Sequence, residues 1–342
     1  MKHIRKTVFA LFAILLSCRN SILPIEPVPE DMGMIHAPGI VRLHDSTLVW
    51  VALPGDSSSM EAVQWSVDRG RIVGNGYTAL FLAPSDTGAA TIRMSSRMAT
   101  GIVRDSARIR IYKQIIILKA DDFSLSTSTP VSPNWQRFVH FIIKKNIKAG
   151  LGLKGKSLFP DNKNYREYIK TLARSGHFEF WNHGYDHIVG AVSADGNKYD
   201  EFRNTPLGYQ IEQLMRTQNL AKEKLGLTLH AFGAPGNAID ENTCAAMAMV
   251  PDLKIWFFGM ETPGKLNLPR RGEIEFPVHC PDYVKFIQTY DSTRSCQVYQ
   301  VHPDTWNDTR FEEFKKIIDF LLAHQVHFFN PYEYYKALAD SI

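Results

Sequence analysis

The chain has 342 residues and lacks several features, each of which would mark a class of protein. It has no run of 18 or more apolar residues, so no segment has the length of an ordinary membrane-spanning helix. Its net charge of +4 is too small to indicate a nucleic-acid-binding protein. With 44% hydrophobic and 22% charged residues, the composition also excludes a disordered, collagen-like or coiled-coil chain. The length instead predicts a globular protein of two domains.

The first residues have the layout of an export signal, in which a short basic region precedes an apolar run and a small residue. A helix over the apolar run 8–16 would cover only about 14 Å, well short of a bilayer core. The segment Leu15–Cys18 resembles a bacterial lipobox, whose cysteine becomes the lipid-bearing first residue. We therefore expect residues 1–17 to be a lipoprotein-type signal peptide and Cys18 to anchor an exported protein in the membrane of the bacterial cell envelope. An ordinary cleaved signal followed by an incidental cysteine is the alternative.

Two segments follow the signal. Residues 18–36 are polar and rich in proline, which predicts a tether. Residues 37–113 contain short strand-like runs separated by turn residues, which predicts an antiparallel β-sandwich. The stretch Trp65–Gly70 resembles the central strand and turn of bacterial immunoglobulin-like modules, and no cysteine pair spans the region, which excludes the antibody type. Such a module either binds glycan or acts as a spacer, and the absence of an obvious aromatic cluster favours the spacer.

The pattern changes in residues 114–342, where strand-like and helix-like segments alternate. The continuous apolar run Ile115–Leu118 is typical of a strand that is covered on both faces of a sheet. Alternating strands and helices predict parallel βαβ units, arranged either as a barrel or as a doubly wound sheet.

Polar residues able to do chemistry follow four of the predicted strands. They are Asp121 and Asp122 after the first strand, His183 and His187 after a later one, Pro235 and Gly236 after a third, and His302 after a fourth. In parallel α/β folds the carboxyl ends of the strands form the active site, so we expect these residues to meet. Each alone is a weak signal, because a lone buried histidine is more often a core residue than a ligand.

This ordered set resembles the polysaccharide deacetylase family, carbohydrate esterase family 4, over about residues 114–335. The resemblance implies a distorted (β/α) barrel that binds a divalent metal, usually zinc. It also implies that Asp121 is the catalytic base, that Asp122, His183 and His187 are the metal ligands, and that His302 is the general acid.

The chemistry of these residue types agrees with the roles that the resemblance implies. We expect the two histidines, at positions i and i+4, to lie on one face of a helical turn and bind one ion with a carboxylate. Three protein ligands leave room for water, whose pKa the metal lowers, and a second carboxylate can take its proton. A histidine opposite can protonate a departing amine. The sequence therefore predicts a zinc-dependent hydrolase that removes N-acetyl groups from an amino-sugar polysaccharide.

Two departures from the family pattern keep alternatives open. The family's third motif carries an arginine that orients the base, and residues 232–237 have none, although the Gly236 amide could serve an oxyanion. The family's fourth motif supplies an acid and a tryptophan beside the catalytic histidine, and only Trp256 and Glu261 come near this pattern. A catalytically weakened carbohydrate-binding protein, an O-acetyl esterase and a hydrolase of another amide are the alternatives.

Three aromatic residues near the motifs have two interpretations. Trp181, Tyr185 and Trp306 either stack on sugar rings or pack in the core.

Cys280 and Cys296 lie near late strands and could form a disulfide in an exported protein, although unpaired thiols are the alternative for these two and for Cys244. No second metal site is expected at His279 and Cys280, because no further ligand stands at a suitable spacing.

Overall fold

The computed structural model describes residues 35–52, 63–98, 101–127 and 130–339. The predicted signal peptide, Cys18 and most of the predicted tether lie outside these ranges. None of the helices in the described ranges has the length and apolarity needed to cross a membrane.

The N-terminal region consists of two four-stranded sheets. Its strands are β1 (Ile35–His36), β2 (Ile40–Arg42), β3 (Ser46–Val51), β4 (Gln64–Val67), β5 (Arg71–Val73), β6 (Thr78–Leu82), β7 (Gly88–Met98) and β8 (Gly101–Tyr112). One sheet has the order β1-β3-β6-β5 and the other β2-β8-β7-β4, and only β2 and β8 pair in parallel. Val49 and Phe81 of the first sheet share an apolar core with Ile92 and Ile109 of the second. The predicted β-sandwich is confirmed, and its kinship with immunoglobulin-like modules stays a prediction.

Ten strands and seven α-helices follow in the described ranges. The strands are β9 (Ile115–Phe123), β10 (Ala149–Leu153), β11 (Phe178–Asn182), β12 (Ala191–Val192), β13 (Lys198–Tyr199), β14 (Ala231–Phe232), β15 (Ile255–Phe257), β16 (Leu266–Leu268), β17 (Cys296–Val301) and β18 (His327–Phe328). The helices are α1 (Pro133–Lys144), α2 (Lys163–Arg174), α3 (Leu207–Leu220), α4 (Glu241–Ala248), α5 (Tyr283–Thr289), α6 (Asp308–Ala323) and α7 (Pro331–Ala339).

Eight of these strands form one parallel sheet that curls into a nearly closed barrel. Its order is β16-β15-β14-β11-β10-β9-β17, and β18 also pairs with the amino end of β9. The segment between β16 and α5 packs across the remaining gap, since a side chain at Gly272 would lie 2.8 Å from Tyr299 of β17. The predicted fold class is therefore confirmed as the barrel, rather than the doubly wound sheet.

The junction between the two regions is short and buried. Only two residues separate the end of β8 from the start of β9, and one of them, Gln114, is 1% exposed. Its side-chain amide donates to the carbonyl oxygens of Asp291 and Arg294, each at 2.9 Å. Tyr290 donates its hydroxyl to the side-chain oxygen of Gln114 at 2.6 Å. The sandwich therefore joins the barrel at the amino ends of its strands through a firmly held connection.

A tryptophan occupies part of the barrel interior, in space left by two glycines that have no side chain. Gly150 and Gly152 lie on β10, and Trp181 of the neighbouring strand β11 is completely buried against them. A Cβ atom at position 152 would lie 2.5 Å from the indole carbons of Trp181. Glycine at this position is thus a packing requirement of the barrel interior.

We expect Gly152→Ala to lower the free energy of unfolding by about 1–3 kcal/mol, because the added methyl group overpacks the interior against Trp181. Chemical denaturation measures this change. Gly208→Ala is the matched control, because a side chain there meets open space on α3, and we expect it to be neutral or slightly stabilising. Equal stabilities of the two variants would contradict the packing argument.

Candidate active site

The two neighbouring aspartates at the carboxyl end of β9 both reach the same site because the backbone is irregular there. Asp122 has a left-handed backbone with φ 71°, and the pairing register with β10 shifts at this level. Its Oδ1 atom lies 2.6 Å from His187 Nε2, and Asp121 Oδ2 lies 3.9 Å from His302 Nε2. In a regular strand, consecutive side chains would have pointed to opposite faces.

Asp122, His183 and His187 form a cluster that fits a metal ion. One ligand atom from each lies within 4.8 Å of the others. His183 Nδ1 donates to the carbonyl oxygen of Gly233 at 2.7 Å, which leaves the lone pair of Nε2 facing Asp122. This arrangement is typical of metal-binding histidines.

The carboxylate of this cluster faces nitrogen atoms. Oδ1 of Asp122 is buried and lies 2.6 Å from His187 Nε2, 3.6 Å from His183 Nε2 and 3.9 Å from the Lys154 ammonium. Burial alone would raise the pKa of Asp122, but the neighbouring imidazoles hold it well below its usual range. A buried anionic oxygen aimed at two histidine nitrogens is the donor set that a divalent transition metal prefers.

A loop, rather than the predicted helical turn, brings the two histidines together. Residues 183–190 have no helical structure, and Gly184 and His187 have φ values of 72° and 58°. The ring centroids of His183 and His187 nevertheless lie 4.9 Å apart. The helical-turn expectation was wrong because these left-handed residues wind the chain around a buried acid.

That acid is Glu201, which was not identified from the sequence. Its carboxylate accepts hydrogen bonds from four consecutive backbone amides, those of Tyr185 (2.5 Å), Asp186 (3.1 Å), His187 (2.6 Å) and Ile188 (3.4 Å). Glu201 is completely buried, and a side chain at Gly184 would lie 2.6 Å from one of its oxygens. The loop geometry that aims the histidines therefore depends on this carboxylate.

We expect Glu201→Gln to lower the free energy of unfolding by roughly 2–4 kcal/mol, because a neutral amide with one acceptor oxygen cannot satisfy four backbone donors. It should also weaken Zn²⁺ binding by about 10–100-fold, the usual effect of losing a group that orients ligands. Denaturation and chelator competition measure these two changes. Glu212→Gln, on the exposed face of α3, makes the same chemical change and should alter neither; similar losses in both variants would contradict a role for Glu201.

The opposite side of the site contains His302, which directly follows β17. Glu275 accepts hydrogen bonds from the backbone amide of His302 at 2.9 Å and from its Nδ1 at 2.7 Å. Trp306 Nε1 donates to the same carboxylate at 2.9 Å. An acid and a tryptophan therefore do lie beside His302, namely Glu275 and Trp306, whereas Trp256 lies in the core and Glu261 is exposed.

The surroundings of His302 favour its protonated form. Burial would lower the pKa of His302, but the hydrogen bond with Glu275 and the charge of Asp121 raise it above the ordinary histidine value. Asp122 acts in the same direction from farther away, and the His279 ring lies against His302 with 4.4 Å between centroids. A histidine in these surroundings can hold a proton at Nε2, on the side that faces Asp121.

We expect Glu275→Gln to move the basic limb of the pH–rate profile to lower pH. Activity that needs protonated His302 persists up to its pKa, and removing the carboxylate removes a cause that raises that pKa. Hydrolysis rates measured across the pH range test this. Glu261→Gln, with the same change in charge at an exposed position, should leave the limb in place. A limb that stays unshifted in Glu275→Gln would contradict the assignment of His302 as the acid.

The loop after β14 joins the site through hydrogen bonds to Asp121. Pro235–Asn237 form a single tight turn in which Gly236 has φ 60°. Asn237 Nδ2 donates to Gln300 Oε1 at 3.0 Å, and Gln300 Nε2 donates to Asp121 Oδ2 at 2.6 Å. The residues predicted after four separate strands therefore do converge, and the oxyanion role of Gly236 stays a prediction.

Asp121 also contacts a cation that was not identified from the sequence. Lys119 Nζ lies 2.7 Å from Oδ1 and 2.6 Å from Oδ2 of Asp121, and both side chains are buried. Lys119 precedes Asp121 by two residues on β9, so both side chains lie on the same face of the strand.

The three predicted sugar-stacking rings are buried. Trp181, Tyr185 and Trp306 are 0%, 4% and 1% exposed. The Trp181 ring packs against His183 with 4.9 Å between centroids, and the Arg216 guanidinium lies 3.8 Å above the ring of Tyr185. These rings have no free face for a sugar, so core packing, the other interpretation, describes them.

The described cysteines are unpaired, and His279 lies near two further candidate ligands that the sequence spacing did not reveal. Cys244, Cys280 and Cys296 are all free, so the disulfide between the last two is absent from this structure. Glu275, His279 and His302 are close enough to hold a metal. Both oxygens of Glu275 already accept hydrogen bonds, however, so this cluster is better described as the support of His302.

The comparisons with known proteins find similarity in the fold alone. No family model and no curated protein matches the chain. Among solved structures, the chain is similar to the Xyl-CE4 domain of a multidomain xylanase from the hindgut metagenome of Trinervitermes trinervoides, with a TM-score of 0.48 and 15% identity over 66% of this chain and 90% of that one. A family 4 acetyl xylan esterase from Clostridium thermocellum, in complex with a cobalt ion, gives 0.46 and 16% over 64% and 89%.

A third similar structure is a family 4 pseudoenzyme from Bacillus anthracis, with a TM-score of 0.44 and 13% identity over 67% of this chain and 66% of that one. The similar structures thus include enzymes and a pseudoenzyme. At these values neither activity nor substrate carries over to this chain.

Proposed function

We propose that the protein is a metal-dependent hydrolase that removes N-acetyl groups from an amino-sugar polysaccharide. The observation that carries the proposal is the position of one buried carboxylate and one buried histidine, Asp121 and His302, beside a separate Asp-His-His cluster. Base, acid and metal ligands are thus different residues that converge at one end of the barrel.

Asp122, His183 and His187 would hold the ion, and their nitrogen and oxygen donors suit Zn²⁺. When bound, a divalent ion lowers the pKa of water and polarises a carbonyl group. The chain's own residues move the protons. Asp121 is positioned to accept one, and His302, whose Nε2 faces Asp121 at 3.9 Å, is positioned to donate one to a leaving group.

The support of His302 favours an amide substrate over an ester. An amine is a poor leaving group that needs a proton, whereas an alkoxide depends less on the acid. The hydrogen bond with Glu275 raises the pKa of His302 above the ordinary histidine value, which favours the protonated ring. The carbohydrate part of the proposal is supported by the ordered motifs alone. Export and a lipid anchor at Cys18 are part of the proposal too, supported by the order of basic, apolar and small residues before that cysteine.

We expect the purified protein to release acetate from N-acetylglucosamine oligomers, to lose this activity to a chelator and to regain it with Zn²⁺. Asp122→Asn should lower the rate by about 100-fold or more, because a ligand of the ion is lost. Asp186→Asn is the matched control, since Asp186 lies in the same region and pairs with the exposed Lys156, and it should remain active.

The assay also separates the alternatives. Normal turnover in an Asp122→Ala/His183→Ala double variant would contradict the proposal outright. Acetate release from O-acetylated xylan alone would indicate an esterase, and oligosaccharide binding without acetate release would indicate a binding protein.

A further inference from the structure

Lys119 is a buried cation in a strand that is otherwise almost wholly apolar up to the aspartates. Its side chain is 0% exposed, and burial lowers the pKa of Lys119 while the ion pair with Asp121 opposes that effect. A buried ammonium group is costly unless it is paired and hydrogen-bonded. Its contacts with both oxygens of Asp121 meet that requirement.

The surroundings of Lys119 are built to accommodate a cation. Nζ lies 4.8 Å from the ring centroid of Trp181 and 5.2 Å from that of Phe258, which are cation–π distances. Gly233 leaves the remaining space, since a Cβ atom there would lie 2.9 Å from Lys119 Cε. Gly233 belongs to residues 232–237, which contain no arginine. The chain therefore brings a cation to Asp121 from β9 instead of from that loop.

The position of His183 alone does not decide which of the two aspartates binds the ion, whereas His187 Nε2 lies 2.6 Å from Asp122 Oδ1. His183 Nε2 lies 3.7 Å from Asp121 Oδ2 and 3.6 Å from Asp122 Oδ1. The two carboxylates differ in their partners. Both oxygens of Asp121 contact Lys119, and Gln300 also donates to one of them, whereas Oδ1 of Asp122 faces the Nε2 atoms of His183 and His187.

We propose that Lys119 is a positioning residue that assigns different tasks to the two aspartates. By binding both oxygens of Asp121, it keeps this carboxylate from becoming a fourth protein ligand and reserves it as the base, which leaves Asp122 to bind the ion. This inference rests on the metal site of the proposed function.

The test compares Zn²⁺ affinity and acetate release in Lys119→Met, which keeps the length of the side chain and removes its charge. We expect Zn²⁺ to bind about tenfold more tightly, because the freed Asp121 adds a ligand, and acetate release to fall by about 100-fold, because the base is lost. A lysine that only supported the fold would behave differently, since its loss would weaken metal binding and activity together.

A second pair of variants separates the added ligand from the loss of a nearby positive charge. In Lys119→Met/Asp121→Asn the carboxylate is gone, so the gain in Zn²⁺ affinity over Asp121→Asn alone should vanish. A gain that survives in the double variant comes from the charge and overturns the inference. An unchanged or weaker affinity in Lys119→Met also overturns it.

Two precautions keep the test decisive. Thermal unfolding in a chelator checks that each variant folds. If Lys119→Met does not fold, Lys119→Gln replaces it, because a neutral amide can donate to one oxygen of Asp121 and leaves the other free for the ion.

Failure of the inference and failure of the proposed function give different results. Acetate release by the unaltered protein with no affinity change in the variants refutes only the inference. A tenfold gain without acetate release by the unaltered protein refutes only the deacetylase activity.

Discussion

The ammonium group of Lys119 and the carboxylate of Asp121 lie 2.6–2.7 Å apart with almost no access to water. The arrangement of several surrounding groups follows from this pair. Trp181 forms one wall around the lysine, and Gly150 and Gly152 leave the space that the indole needs. Gln300 completes the contacts of Asp121 and links it to the loop after β14. The buried ion pair therefore connects the packed interior of the barrel to the candidate active site.

Two further carboxylates hold the loops that carry the histidines. Glu201 accepts hydrogen bonds from four backbone amides of the loop that contains His187. Glu275 accepts hydrogen bonds from both the backbone amide and the ring of His302. Backbone donors held by a buried carboxylate fix a loop more firmly than contacts with solvent could, since each hydrogen bond is assisted by charge. The positions of His187 and His302 therefore depend on hydrogen bonds to these two buried acids.

Much of this arrangement can be predicted from the sequence, because the strongest sequence patterns are formed by residues close together in the chain. The apolar run before Asp121 predicts a buried strand, and the polar residues at strand ends predict the convergence of Asp122, His183 and His302. Glu201 and Glu275 were missed because they come from irregular segments without periodicity. Lys119 was missed because a single cation at the end of an apolar run gives no sign of its partner. The helical turn between the histidines was wrongly expected, since spacing alone does not show that Gly184 is left-handed.

The junction at Gln114 determines how far the candidate active site lies from the sandwich. The connection enters β9 at its amino end, whereas Asp121 and Asp122 lie near its carboxyl end. A strand of this length spans about 30 Å. Three hydrogen bonds hold the Gln114 side chain against residues 290–294 of the barrel region. The candidate active site and the connection to the sandwich therefore lie at opposite ends of β9.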